Sequence, residues 1–333
     1  MELTAVFVLI TLFMVWNWLR QRYYRQIMQG YMTRDYDAAL EACTRAIRVS
    51  PRDGVLYHNR AIIHMEKGDY TAALADFEQV IGRNKSYVPA YLQRARLHTR
   101  MGDDEAALTD YAQALAIDPD FEQTYLLRSL TYARQGEVER ALRDNQRAIE
   151  RIEAELANAE AFGVYMNGGD PVPELRRQLA YAYANRGNIH TLTGNAEAAL
   201  ADYDLSLQTE PDDALLLTNR AEGYATFGHY DEAIADYAQA RRLSGKEDIP
   251  VIATNITGSR QLIDFIDAGE AVARYGRGET DDALDLWARL LKVDTQFSDP
   301  DWVKVQLEWP DALVAHVQRI VGLMKTQAAG TAR

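Results

Sequence analysis

Cysteine is nearly absent from this chain of 333 residues, in which Cys43 is the only one. A single cysteine excludes an intramolecular disulfide and any zinc or iron–sulfur site built from cysteine ligands. We interpret Cys43 as a small buried residue rather than a reactive thiol. Basic charge is scarce as well, since 36 Lys and Arg face 49 Asp and Glu, for a net charge of −13. No block of Lys or Arg appears after residue 34, so the sequence predicts no nucleic-acid partner.

Signatures of catalysis and of metal binding are also missing. The chain has no glycine-rich phosphate loop, no nucleophile elbow, and no H-x-x-x-H or mixed Cys/His spacing. His64, His98 and His190 recur at equivalent places of a repeat described below, which favours a structural role. We therefore predict that the protein is not an enzyme and that it binds no metal and no cofactor.

One long hydrophobic run is present, from Leu3 to Leu19, and it contains no charged residue. At ~1.5 Å per residue a helix of this length spans about 26 Å, close to the hydrocarbon thickness of a bilayer. A cleaved signal peptide would need a basic start and a small-residue cleavage site. This chain begins Met1-Glu2 and the run ends in Trp-Asn-Trp-Leu-Arg. We therefore predict an uncleaved, single-pass transmembrane anchor at residues 1–19, with residues 3–19 in contact with lipid.

Charge around the run predicts its orientation. Arg20, Arg22 and Arg25 follow the run, whereas Glu2 precedes it. The positive-inside rule then places the remainder of the chain on the cytoplasmic face of the cell membrane. Two arrangements of the junction remain open, a helix that continues from the anchor into the first soluble helix, and a bend near Arg20.

The rest of the chain repeats with a period of 34 residues. The period is marked by alanines that share one place in the repeat, at positions 39, 73, 107 and 141, and again at 199 and 233. A turn glycine precedes most of them, at positions 68, 102, 136, 194 and 228, while Arg34 takes this place in the first unit. Because glycine adopts left-handed backbone angles cheaply, each of these turns ends one helix before a second begins. The period therefore predicts a series of helix–turn–helix units.

This pattern of small residue, Gly-Asp turn, alanine, aromatic residue and proline resembles the tetratricopeptide repeat, over residues 20–245 and more weakly over 264–295. The resemblance implies an all-α fold, a right-handed superhelix (α-solenoid) in which the first helices of the units line a concave groove that binds proteins. The expected segments are units 1–4 at 20–153, an inserted helical hairpin or loop at 154–179, units 5–6 at 180–245, a connector at 246–263, a degenerate unit with C-terminal capping helices at 264–325, and a disordered tail at 326–333.

An arginine of each first helix recurs with an aspartate sixteen residues later in the second helix. The five instances are Arg60 and Asp76, Arg94 and Asp110, Arg128 and Asp144, Arg186 and Asp202, and Arg220 and Asp236. A ladder of arginines could bind anionic ligands, or each arginine could pair with the acid of its own unit. The constant offset favours a structural ion pair, which would chiefly fix the register of the two helices.

The insertion between the fourth and fifth units has two interpretations. Residues 143–162 continue one helical pattern, and the loop that follows, 163–173, is rich in glycine and proline. Phe162, Val164, Tyr165 and Met166 would then lie near the tip of a projecting arm that contacts a partner. The alternative is an insertion that a surface loop simply tolerates.

The expected groove positions combine amides with apolar side chains. Amides can pair with an extended peptide backbone, and leucines form shallow pockets. These positions are His58, Asn59, Ile62, Leu92, Gln93, Arg96, Leu126, Leu127, Leu130, Tyr181, Asn185, Asn188, Leu215 and Asn219. Tetratricopeptide domains that bind chaperone C-termini clamp a carboxylate with Lys or Arg beside Asn. Asn59 matches that motif, but Tyr24, Pro89 and Gln93 stand at the basic places, so we predict no chaperone carboxylate clamp.

These features together predict a membrane-anchored scaffold or assembly factor that binds a protein partner through the groove. The alternative is a permanent accessory or regulatory subunit of a membrane protein complex, respiratory or involved in envelope biogenesis. In both cases the partners are proteins, membrane proteins included. The groove and the inserted arm are both candidates for the main contact.

Overall fold

The computed structural model describes residues 18–162, 170–244, 259–307 and 309–331. Within these ranges the chain forms sixteen α-helices and no β-strand. They belong to two compact units, unit 1 up to Pro119 and unit 2 from Asp120 onward. None of the helices in the described ranges combines the length and apolar character needed to cross a bilayer. Most of the predicted anchor, residues 1–17, lies outside the described residues.

Unit 1 contains six helices, which pack in sequence order. They are α1 (18–32), α2 (Tyr36–Val49), α3 (Gly54–Lys67), α4 (Tyr70–Arg83), α5 (Val88–Arg100) and α6 (Asp104–Ile117). Helix α3 packs on α4, and α5 packs on α6, so that each pair is one helix–turn–helix unit.

Unit 2 contributes the other ten helices of the described ranges, and it begins with the same pairing of first and second helices. They are α7 (Glu122–Arg134), α8 (Val138–Phe162), α9 (Val172–Leu192), α10 (Ala196–Thr209), α11 (Ala214–Thr226), α12 (Tyr230–Leu243), α13 (Ser259–Arg277), α14 (Thr280–Val293), α15 (Pro300–Leu307) and α16 (Asp311–Thr331). A short 3₁₀ turn, Thr295–Ser298, joins α14 to α15.

The turn inside each helix pair has one residue that ends the first helix and a following residue at the start of the second. The glycine ends the first helix in a left-handed conformation, with φ of 86° at Gly68, for example. In the first three pairs the aspartate that follows caps the second helix, as when Asp69 accepts a hydrogen bond from the N–H of Ala72 at 3.3 Å. In the first pair Arg34 adopts φ of 57° in place of glycine, so the turn keeps its shape.

A large aromatic side chain fills the interior of most pairs, at one position of the second helix that we call the wedge position. Its occupants are Phe77, Tyr111, Tyr203, Tyr237 and Trp287, each no more than 2% exposed. Tyr203 shows why small residues are needed around it, because a Cβ added at Gly187 or Gly223 would lie 2.7 or 2.5 Å from its ring. Cys43 and Asn145 hold the wedge position in the first and fourth pairs, and both are fully buried.

Two expected boundaries need correction. The tail 326–333 was expected to be disordered, but α16 continues to Thr331, because no proline interrupts the helix-forming residues at its end. The connector was expected to end at residue 263, but α13 begins at Ser259. The apolar stripe of α16 packs inward, with Val317 and Ile320 fully buried, so this helix covers the end of the core formed by α13 and α14.

Candidate functional site

The arginine–aspartate pairs form in all five units. In each, the guanidinium Nε and Nη2 donate to the two carboxylate oxygens of the aspartate, over 2.6 to 3.0 Å. This two-point geometry is the strongest that the two side chains can make. The hydrogen bonds that Arg60 donates to Asp76 raise the pKa of Arg60 above its ordinary value. The arginines are therefore engaged within their own helix pairs rather than presented to a ligand.

The repeated histidines lie beside aspartates of the turn or of the second helix. His64 Nδ1 is 3.3 Å from Asp69, and His190 Nε2 is 3.8 Å from Asp202. Burial lowers the pKa of His190 despite this carboxylate. Among the described residues no group of His, Cys, Asp and Glu side chains converges in a way that could hold a metal ion.

The expected groove positions of unit 1 are largely taken up by internal packing. Leu92 and Arg96 are buried, at 3% and 8% exposure. His58 lies edge-on to two rings, with centroids 5.9 Å from Phe77 and 5.6 Å from Tyr87. This burial lowers the pKa of His58 to about 4, so the imidazole is neutral at neutral pH. The other three positions, Asn59, Ile62 and Gln93, are partly exposed.

Unit 2 brings five of the expected groove residues together in one cavity, which we call the α7–α9 pocket. The five are Leu126, Leu127, Leu130, Tyr181 and Asn185. Four further residues line it, namely Glu122, Gln123, Ile152 and Gln178. The cavity measures about 40 Å³. Since one water needs roughly 10–15 Å³ on this measure, the space suits a small branched side chain.

Asn185 ties the two walls of this pocket together. Its Nδ2 donates to the carbonyl oxygen of Leu126 at 3.0 Å and reaches Ser129 Oγ at 3.4 Å. Helix α9 is thereby held against α7 at the pocket by hydrogen bonds as well as by apolar contact. Such a wall keeps its shape when a ligand enters.

The insertion contributes directly to the pocket. Helices α8 and α9 have 25 and 21 residues, whereas α3 and α4 have 14 each. Arg151 stands at the place where Arg83 ends α4, so Ile152 belongs to the added part of α8. Gln178 likewise lies on the added first turns of α9, because α3 begins six residues before Arg60 and α9 begins fourteen before Arg186.

Ile152 and Gln178 were not among the sequence-predicted residues, because the period gives them no counterpart in other units. The signal for Ile152 was present, since Ile149, Ile152 and Leu156 continue an apolar stripe at three- and four-residue spacing.

The predicted arm tip begins where the described part of α8 ends. Phe162 is the last residue of α8, and nothing is described of its side chain. Residues 164–166 lie outside the described residues.

The expected groove positions toward the C-terminus make internal contacts. Leu215 is 2% exposed and belongs to the core of unit 2. Asn188 Oδ1 accepts the hydroxyl proton of Tyr203 at 2.7 Å, and Asn219 is partly exposed. On the same face of α11 the indole Nε1 of Trp309 donates to Glu222 at 3.0 Å. The segment before α16 therefore covers part of the side of α11 on which the groove was expected.

Comparisons with known proteins agree with this architecture. Residues 31–89 and 180–213 match sequence profiles of the tetratricopeptide repeat, and residues 95–136 match a further TPR repeat profile. A crystal structure of a tetratricopeptide repeat protein from Parabacteroides merdae ATCC 43184 is similar with a TM-score of 0.52 at 15% identity, covering 91% of this chain and 98% of that one. The APC/C hetero-tetramer Cut9–Hcn1 is similar with a TM-score of 0.53 at 16% identity, covering 86% of this chain and 49% of that one.

The chain therefore contains tetratricopeptide repeats. At these identities the likeness to solved structures shows the fold alone. Tetratricopeptide repeats imply a scaffold for protein–protein interaction.

Proposed function

We propose that this protein is a membrane-anchored scaffold that holds an extended segment of a protein partner in the α7–α9 pocket. The observation that carries the proposal is the pocket itself, in which Leu126, Leu127 and Leu130 of one first helix face Tyr181 and Asn185 of the next. It is a concave, mostly apolar site on the helices that this family uses for binding.

The chemistry of the lining defines the kind of segment that fits. The leucines and Ile152 favour an apolar side chain, because burying it removes both surfaces from water. The amide oxygens of Gln178 and Asn185 can accept hydrogen bonds from the N–H groups of a peptide backbone, whereas the Nδ2 of Asn185 is already engaged in the pocket wall. Glu122 is the one carboxylate in the lining. A neutral segment with one branched aliphatic anchor residue therefore fits best.

The anchoring part of the proposal rests on sequence. The run from Leu3 to Leu19 has the length and apolar character of a membrane span, and the arginines that follow it favour the cytoplasmic side. A partner held in the pocket would then be a protein at that surface, either a soluble one or the cytoplasmic segment of a membrane protein.

Site-specific photo-crosslinking in native membranes tests the proposal. A photoreactive amino acid replaces Gln178, which lines the pocket, or Gln208, an exposed glutamine of α10 that serves as the matched control. We expect one protein to be crosslinked from position 178 and not from position 208. A partner that stays bound in fixed ratio at high salt would identify a built-in subunit, and one that exchanges would identify a recruiting scaffold.

The binding segment of that protein is then measured against two leucine variants. Leu130→Ser removes part of the pocket floor, whereas Leu205→Ser changes a leucine of α10 that is 40% exposed. We expect Leu130→Ser to weaken binding at least about tenfold, because a buried leucine contributes about 1.5–3 kcal/mol. Leu205→Ser leaves the affinity unchanged. Equal affinities for the two variants would refute the pocket as the binding site.

A further inference from the structure

Helix α1 has two faces of different character. Its inner face packs into unit 1, where Ile27 is 2% exposed and Tyr23, Tyr24 and Tyr31 join the same apolar cluster with α2 and α3. Its opposite face is exposed. We call this the outer α1 face, and it consists of Trp18, Arg22, Arg25, Met28 and Met32, spaced so that they share one side of the helix.

The outer α1 face exposes an unusual amount of apolar surface. Trp18, Met28 and Met32 are 54%, 53% and 66% exposed. Three large apolar side chains on one face of a helix of about four turns are more than single exposed residues, which need no explanation. Grouped exposure of this kind marks a surface that binds something.

The charge on this face identifies what it binds. Residues 18–34 contain four arginines and no acidic residue, although the whole chain carries −13. Arg20 reaches Asp53 at 3.5 Å, but Arg22 and Arg25 have no acidic partner within the described ranges. The Arg22 guanidinium instead lies over the Trp18 ring, 5.5 Å from its centroid. Arginine beside tryptophan and methionine suits the headgroup layer of an anionic membrane, where charge and apolar surface are both satisfied.

We propose that the outer α1 face lies in the headgroup layer of an anionic bilayer, with the axis of α1 along the membrane surface. This inference rests on the proposed anchoring, because the apolar run ends where the face begins, at Trp18 and Leu19. A protein partner would have to match both the arginines and the methionines, whereas anionic lipid next to the anchor matches both at once.

The proposal makes a geometric statement that can be measured. From Trp18 to Met32 the axis of α1 is about 21 Å long at ~1.5 Å per residue. If α1 continued upright from a spanning helix, Met32 would lie about that far above Trp18 and outside the headgroup layer. If α1 lies flat, its whole axis runs along the membrane surface and Met32 stays at the same depth as Trp18.

Selective labelling of position 32 is possible because the natural cysteine is inert. Cys43 is fully buried, and burial raises the pKa of its thiol to about 12. The full chain carrying Met32→Cys, or Thr71→Cys on the exposed side of α4 as the matched control, is labelled with a fluorescent dye and reconstituted into vesicles of phosphatidylcholine and phosphatidylglycerol. Quenching is measured with lipids that carry a nitroxide on the headgroup and with aqueous iodide.

We expect the dye at position 32 to be quenched by the headgroup nitroxide and several-fold less by iodide than the dye at position 71. Adding Arg22→Gln and Arg25→Gln, or using phosphatidylcholine alone, should raise iodide quenching at position 32 toward the control. Iodide quenching equal to the control in the anionic vesicles, with the protein retained after a high-salt wash, overturns this inference and leaves the anchoring intact. Loss of the protein in that wash overturns the anchoring and this inference together.

Discussion

The fourth helix pair differs from the fifth in what fills its wedge position. In the fifth pair Tyr203 fits between two glycines and donates its hydroxyl to Asn188, so shape holds the neighbouring first helices together. In the fourth pair Asn145 is fully buried, and its Nδ2 donates to the carbonyl oxygen of Ala182 at 3.0 Å. A directional hydrogen bond therefore replaces aromatic packing at the same junction that carries the α7–α9 pocket.

This difference shows that one repeat pattern can serve two purposes. At the junction filled by Tyr203 the ring lies against Gly187 and Gly223 without space for a Cβ, so its contribution is to packing. The junction with Asn145 joins α8 to α9 through a polar contact, and the lengthened helices add Ile152 and Gln178 as pocket walls. The pocket thus accompanies a pair that departs from the pattern.

Replacing each of the two wedge residues, Tyr203 and Asn145, with alanine gives the largest expected difference in the free energy of unfolding. Tyr203→Ala removes a fully buried ring and should lower the free energy of unfolding by about 3–5 kcal/mol. Asn145→Ala loses a much smaller volume and one hydrogen bond, so we expect a loss of about 1–2 kcal/mol. Urea unfolding followed by circular dichroism measures both. A loss for Asn145→Ala as large as that for Tyr203→Ala would remove the distinction between the two junctions.

A smaller effect is expected from the glycine that receives the ring. Gly187→Ala places a Cβ 2.7 Å from the Tyr203 ring, whose hydroxyl also lies 3.0 Å from Thr191 Oγ1. Because the ring cannot shift without losing these contacts, we expect a loss of about 1–3 kcal/mol. Gly82→Ala is the matched control, since it meets nothing within 4 Å in α4. It should gain up to about 1 kcal/mol from helix propensity. Similar results for the two glycines would contradict the tight fit.

A pH-dependent effect, the smallest of these for a change of one pH unit, concerns His58 in unit 1, whose ring lies edge-on to Phe77 and Tyr87. Burial lowers its pKa to about 4, below the ordinary 6.5, so the unfolded chain binds the proton more readily than the folded one. Stability from this group is therefore fully present above pH 6.5 and is lost as the pH falls toward 4, by at most about 1.4 kcal/mol per pH unit. Urea unfolding of wild type and His58→Gln at several pH values isolates the contribution of His58 to the free energy of unfolding. An unchanged difference between the two across that range would contradict the burial of a neutral ring.

Features that repeat were predictable from sequence, and features that occur once were not. The turn glycines and the sixteen-residue offset of Arg94 and Asp110 recur within short stretches, and their helix–turn–helix geometry follows from local chemistry. The contact of Trp309 with Glu222 joins residues 87 positions apart and has no counterpart in the other units. The same holds for the pocket walls Ile152 and Gln178, because the insertion breaks the period that would have indicated them.

The sequence repeat also does not predict which of the groove positions are buried. The repeat places Leu92 and Leu215 on first helices, but their exposure depends on which neighbouring elements cover them. Leu126 lies one 34-residue period after Leu92 and lines a pocket, because α9 there stands opposite α7 with Asn185 between them. The repeat therefore identifies candidate groove positions, and the neighbouring elements determine which of these positions stay exposed.

The last helix has a consequence for growth of the array. A stack of helix pairs has no natural end, because each pair leaves an apolar side ready for another pair or another molecule. Helix α16 takes that side of α13 and α14 with Val317 and Ile320, and turns Gln318, Arg319 and Lys325 outward. The apolar side of α13 and α14 is thereby taken by a helix of the same chain and is not open to a further helix pair.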